Sequence, residues 1–160
     1  MTTIIDGTNG ITFPDTSVQP KSGYGPAFSV YQSVTSTYAN ATPTKVTLQT
    51  KEFDTASAFD NTTNYRFQPL TAGYYQINGA VSGNAASGYF SANIYKNGTL
   101  YKVGASYTTS GVTPDGSVSS VVYLNGSTDY VELWVNAATG GSTNTGIAST
   151  YFNGIFVRGA

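Results

Sequence analysis

From Ala27 onward, apolar and polar residues alternate in short runs divided by turn-forming residues. Residues 74–81 show it most cleanly: Tyr75, Ile77 and Val81 fall on one side of an extended chain, Gln76, Asn78 and Ala80 on the other. Further strands are predicted over 27–31, 45–53, 66–67, 90–96, 99–105, 118–124, 130–135 and 150–157. Tight turns fall at 69–73, Asn97-Gly98 and Asn125-Gly126, and Asn-Gly between alternating residues is a strong hairpin signal. Between these turns lie connections at 82–90, 104–116 and 136–148, rich in Gly, Ser, Thr and Asn. Successive connections of an antiparallel sheet emerge at opposite ends. The pattern therefore predicts one compact end and one loop-rich end. No window sustains a helical period, so the expected fold is all-β: a two-sheet antiparallel sandwich of about ten strands.

Residues 1–22 stand apart. They hold few apolar groups and a possible short strand at 11–13, and read as a connector or docking arm before a head domain over 23–160. Charged residues make up only 9% of the chain and the net charge is −1. The seven basic residues are scattered, so no basic stripe can neutralise phosphates, and nucleic-acid binding is not expected. No apolar run reaches the ~20 residues of a membrane-spanning helix, and no membrane insertion is expected. The first six residues lack the basic and apolar regions of a secretory signal, so none is expected. The polar surface is made of Thr, Ser, Asn, Gly and 13 tyrosines. That chemistry suits an adaptable binding surface, and equally a rigid, fibre-associated β protein.

The absence of histidine and cysteine removes the commonest general base, thiol nucleophiles and thiolate metal sites. Asp129 and Glu132 are three apart on an extended segment and should face opposite ways. Asp54 and Asp60 bracket a loop and could act together as glycosidase carboxylates or bind calcium. The simpler alternative is that each bonds its own turn. No catalytic residue, cofactor or firm metal site is assigned, and the chain is not expected to be an enzyme. Trp134 could stack on a sugar beside Glu132, or cover a strand crossing.

Several pieces in order resemble the globular head of complement component one, subcomponent q, within the tumour-necrosis-factor-like jelly-roll superfamily. They are Ala27-Phe28-Ser29-Val30, Phe53, residues 64–69, residues 72–77, Lys96-Asn97-Gly98, residues 124–131 and residues 149–156. The turn at 125–129 is longer than the family's usual Gly-Asp turn. Residues 10–19 are similar to a connector found in bacteriophage tail-fibre proteins, and no collagen repeat is present. The resemblance implies a jelly roll assembled as a homotrimer. Family geometry would set Gln76, Asn78, Val121, Tyr123, Phe152 and Phe156 against neighbouring subunits; the alternative is that they fill the protomer's own sandwich.

The expectation that follows is a non-enzymatic, trimeric fibre tip on a phage particle, made in the host cytoplasm. It would bind a bacterial surface glycan or protein, and other virion proteins through its N-terminal arm. Apical loops carrying Tyr38, Asn40, Asn84, Tyr89, Tyr107, Asp115, Asn136 and Asn144 are the candidate ligand site. The alternative is a purely structural trimerisation cap without a ligand.

Overall fold

A computed structural model describes residues 4–6, 10–12, 18–19, 25–84 and 86–160, with side chains described over 25–84, 87–105 and 113–160. Three short strands, β1 (Ile4–Asp6), β2 (Gly10–Thr12) and β3 (Val18–Gln19), form a small antiparallel sheet within the N-terminal segment. Phe13, part of the strand expected at 11–13, lies outside the described residues. The next strands are β4 (Ala27–Tyr31), β5 (Thr37–Tyr38), β6 (Thr44–Lys45), β7 (Thr50–Asp54), β8 (Phe59–Asp60) and β9 (Arg66–Phe67). The long strands follow: β10 (Gly73–Ser82), β11 (Ala86–Lys96), β12 (Thr99–Val112), β13 (Asp115–Leu124) and β14 (Val131–Ala137). A short β15 (Gly141–Ser142) precedes the closing β16 (Tyr151–Arg158).

Two antiparallel sheets make the head. One has the order β13-β10-β16-β4-β7, the other β12-β11-β14-β9-β8 with β6 also on β14, and β5 pairs with β15 as a small ribbon. The non-consecutive neighbours make this a jelly roll. Strand alternation sends one set of side chains inward. Phe28 stacks on Phe67 with centroids 4.2 Å apart, and Phe152 and Tyr75 meet this pair edge-on. Burial pushes the Tyr75 phenol up to about 12. Its hydroxyl donates to Thr71 O at 2.7 Å, so the buried oxygen is satisfied.

Two expectations need correction. The run 45–53 is not one strand, because β6 belongs to the six-stranded sheet and β7 to the five-stranded one. Residues 46–49 cross between them with Val46 and Leu48 buried, so the alternation survives while the sheet changes. The Gly- and Ser-rich stretches at 82–90 and 104–116 are largely strand. β11 and β12 stay paired from Lys96–Thr99 to Ala86–Val112, across three register shifts. A Cβ at Gly104 would collide with the carbonyls of Ser117 and Ala92, and one at Gly116 with the Ala92 backbone. These glycines let β11, β12 and β13 approach closely; they do not open a loop.

β4 and β10 run antiparallel to β16, and Phe156 N donates to Pro26 O at 3.0 Å. The chain thus enters the head where β16 finishes, and the connections following β4, β10 and β14 lie at the opposite end.

Candidate functional site

At that far end the connecting segments are tied to one another. Ala41 N donates to Ala137 O at 2.8 Å, Asn84 N to Ser142 O at 2.8 Å, and Gly83 N to Pro114 O at 2.9 Å. Side chains add further ties. Asn40 Oδ1 accepts from Gly140 N, and Asn84 Oδ1 accepts from Ser142 N at 2.8 Å. Asn144 Nδ2 donates to Ser82 Oγ and Gly83 O, both at 3.0 Å. Segments distant in sequence are thereby held as one body.

The expected ligand residues do not share one role here. Tyr38 is a correction: it is buried against Phe90 and donates to Asn84 O at 3.2 Å, and burial raises its phenol pKa. It anchors the apex from below and is closed to a ligand. Asn40, Asn84 and Asn144 are brought together, but as ties between loops. Tyr89 is exposed beside them, and its carbonyl accepts from Ala138 N. Asp115 is exposed at the start of β13, opposite Ser82. Asn136 lies on β14, its amide oxygen buried without a partner. The Tyr107 side chain lies outside the described residues.

The second surface is the outward face of the five-stranded sheet. Gln76 and Asn78 on β10 stand between Val121 and Ser119 on β13 and Ile155 and Asn153 on β16. Gln76 Nε2 donates to Asn78 Oδ1 at 3.1 Å and Ser119 Oγ at 2.8 Å, and Asn78 Nδ2 donates to Asn153 Oδ1 at 3.0 Å. Around this polar ladder Val121 is 50% and Ile155 56% exposed, and Tyr74 and Tyr123 pack together with centroids 5.5 Å apart. Phe152 and Phe156 are corrected: Phe152 is fully buried inside the sandwich and Phe156 packs inward on Tyr75. Gly154 lies on the same inward side, where a Cβ would strike Ile77 and Phe28. That glycine was the missed signal, since it puts Phe152 and Phe156 inward and Tyr151, Asn153 and Ile155 outward.

At Asp54 and Asp60 the geometry is that of the simpler alternative, in which each bonds its own turn. Asp54 accepts from Ala58 N, Phe59 N and Lys51 Nζ at 2.8–3.0 Å. Burial pushes its pKa up, but these donors outweigh it and the net shift is downward. Asp60 accepts from Thr62, Thr63 and Asn64, and these backbone donors hold its carboxyl far below the usual range. The oxygens of both carboxylates are engaged by nearby hydrogen-bond donors. On the outer face of the other sheet, buried Glu132 meets Lys45 Nζ at 2.5 Å and accepts from Trp134 Nε1 at 3.0 Å. Trp134 stacks on Tyr95 with centroids 4.3 Å apart, so this indole covers the sheet.

No protein-family model matches the sequence, and no curated protein matches it either. Solved structures do. The globular domain of zebrafish complement 1qA protein matches with a TM-score of 0.65 at 20% identity, over 84% of this chain and 98% of that one. Murine APRIL matches with a TM-score of 0.66 at 9% identity, over 82% and 98%. The vertex protein P5 of phage PRD1 matches with a TM-score of 0.62 at 15% identity, over 83% and 97%. What is shared at these identities is the fold: a jelly roll of the complement and tumour-necrosis-factor kind.

Proposed function

We propose, starting from that fold, that this chain is the head of a homotrimeric virion appendage, at a fibre tip or vertex, and that it binds a bacterial surface glycan through its apex. The polarity of the head carries the reading. The chain enters beside Phe156, and the tied loops stand at the opposite end, where an N-terminal arm docked on the virion would point them outward. The likeness to a phage vertex protein supports the location. The outward sheet face, with its neutral ladder and exposed Val121 and Ile155, supplies the surface for three-fold self-association. Three copies would bring weak polar sites to one apex, where avidity multiplies modest affinities. A binding role fits better than an enzymatic one: Asp54, Asp60, Asp129 and Glu132 are each engaged by donors or cations.

One observation favours a purely structural cap instead: Tyr38, Asn40, Asn84 and Asn144 are spent on holding the loops. Light scattering should give about three times 16.8 kDa for the assembly. Adhesion of labelled protein to bacterial strains separates the two readings. Tyr89→Ala, alone and with Tyr107→Ala, should weaken adhesion while the trimer stays folded. Unchanged adhesion, or none by the parent protein to any strain, would favour the cap.

A further inference from the structure

At the edge of the six-stranded sheet, the turn at 54–58 and the strands β8 and β9 line an open cleft of about 320 Å³. Ser57, Asp60, Asn64, Arg66 and Gln68 give it polar walls, and Ala58, Phe59 and Leu70 give it apolar ones. Its volume is near the lower end of the roughly 300–1,000 Å³ typical of ligand sites, the scale of one small molecule. The Arg66 guanidinium lies 4.3 Å from the Tyr130 ring centroid, which holds it against the ring. Among the described residues that guanidinium makes no ion pair or hydrogen bond, so its donor fork is idle. Asp60 is its cross-strand neighbour, yet the Asp60 oxygens accept from Thr62, Thr63 and Asn64.

The rest of the lining has complementary capacity. Asn64 Nδ2 is committed to Asp60 and Gln68 Nε2 to Ser127 O, so their amide oxygens remain as acceptors for hydroxyl groups. Leu70 is 84% exposed at the rim, an apolar surface beside a polar pocket. Ser57 and Tyr65 hold left-handed backbone, with φ of 53° and 49°, and the Asp54 and Asp60 hydrogen bonds fix the turns around them. The pocket is thus built before any ligand arrives.

We propose that this pocket binds an acidic sugar, with the sugar carboxylate on Arg66. A guanidinium fork matches a planar carboxylate through two parallel hydrogen bonds. The free amide oxygens would take ring hydroxyls, and Leu70 the C–H face of the ring. The site needs neither the apex nor the assembly, because its strands lie outside the five-stranded sheet.

Calorimetric titration of the full chain tests it, with galacturonate, galactose and galactose 6-phosphate as probes. Galacturonate should bind at least roughly tenfold more tightly than galactose, the size of one charge-assisted hydrogen bond. Arg66→Gln should remove that advantage. Leu70→Asp, at an exposed position, should weaken galacturonate by charge repulsion and serves should Arg66→Gln not fold. Tyr89→Ala should leave galacturonate binding unchanged, so failure here is distinct from failure of the apex. Equal binding of galacturonate and galactose, tighter binding of the phosphate, or full binding by both pocket variants would overturn the proposal.

Discussion

The five-stranded sheet has two faces built from the same strands, and they solve opposite problems. On the inner face Tyr75, Ile77, Val122 and Phe152 are buried, each held by packing within one chain. On the outer face Gln76, Asn78, Ser119 and Asn153 bond sideways to one another, while Val121 and Ile155 remain half exposed. The inner face must be complete for the protomer to fold. The outer face satisfies much of its polar demand alone, so in the proposed assembly a protomer would fold first and lose only apolar exposure on associating. Parity along a strand, not the identity of a residue, decides which task a side chain performs.

The sharpest way to break this contrast is Phe152→Asp. A charge without a partner would replace a buried ring, and truncating a buried Phe to Ala alone costs about 3–5 kcal/mol. Circular dichroism should find no folded protein; a folded monomer would place Phe152 at a subunit interface after all. Ile155→Asp, three residues further along β16 and on its other face, should leave the protomer folded and dissociate the assembly in light scattering. An intact trimer would exclude this part of the face from contact.

The smallest expected effect separates both faces from the turns. Asp60 and Asp54 have folded pKa values below their unfolded ones, so the stability they add is present above about pH 3.9 and lost as pH falls toward the lowered values. Asp60→Ala should lower the melting temperature at neutral pH, because it removes the acceptor that holds residues 62–64. It should also flatten the fall of melting temperature below pH 4. An unchanged acid limb would show that this carboxylate does not couple to folding.

Much of the fold was legible because alternation over β10, β13 and β14 has a single physical cause, burial of one side of a pleated chain. Reading failed where a small residue has two meanings. Gly104 and Gly116 look like loop residues in sequence, but act as contact points between backbones. The crossing at 46–49 keeps its alternation while changing sheets, and nothing local marks the switch. At the apex, composition identified polar loops but not which amides tie those loops together. Asn84 and Asn144 are distinguished only by carbonyls and amides tens of residues away. Arg66 was overlooked because its isolation depends on Asp60 turning toward its own loop.

The chain's route into the head has a mechanical consequence. β4 is its first strand, and it sits between β16 and β7 with hydrogen bonds along both sides. If residues 1–22 tether the head as proposed, a pull through them would act along β4, loading its hydrogen bonds on both flanks together rather than one at a time. Forced unfolding is governed by the rate of escape over that barrier. Were the chain tethered at an edge strand instead, the same pull could peel the sheet apart pair by pair. A tether there would make the head resistant to tension directed between its base and its apex.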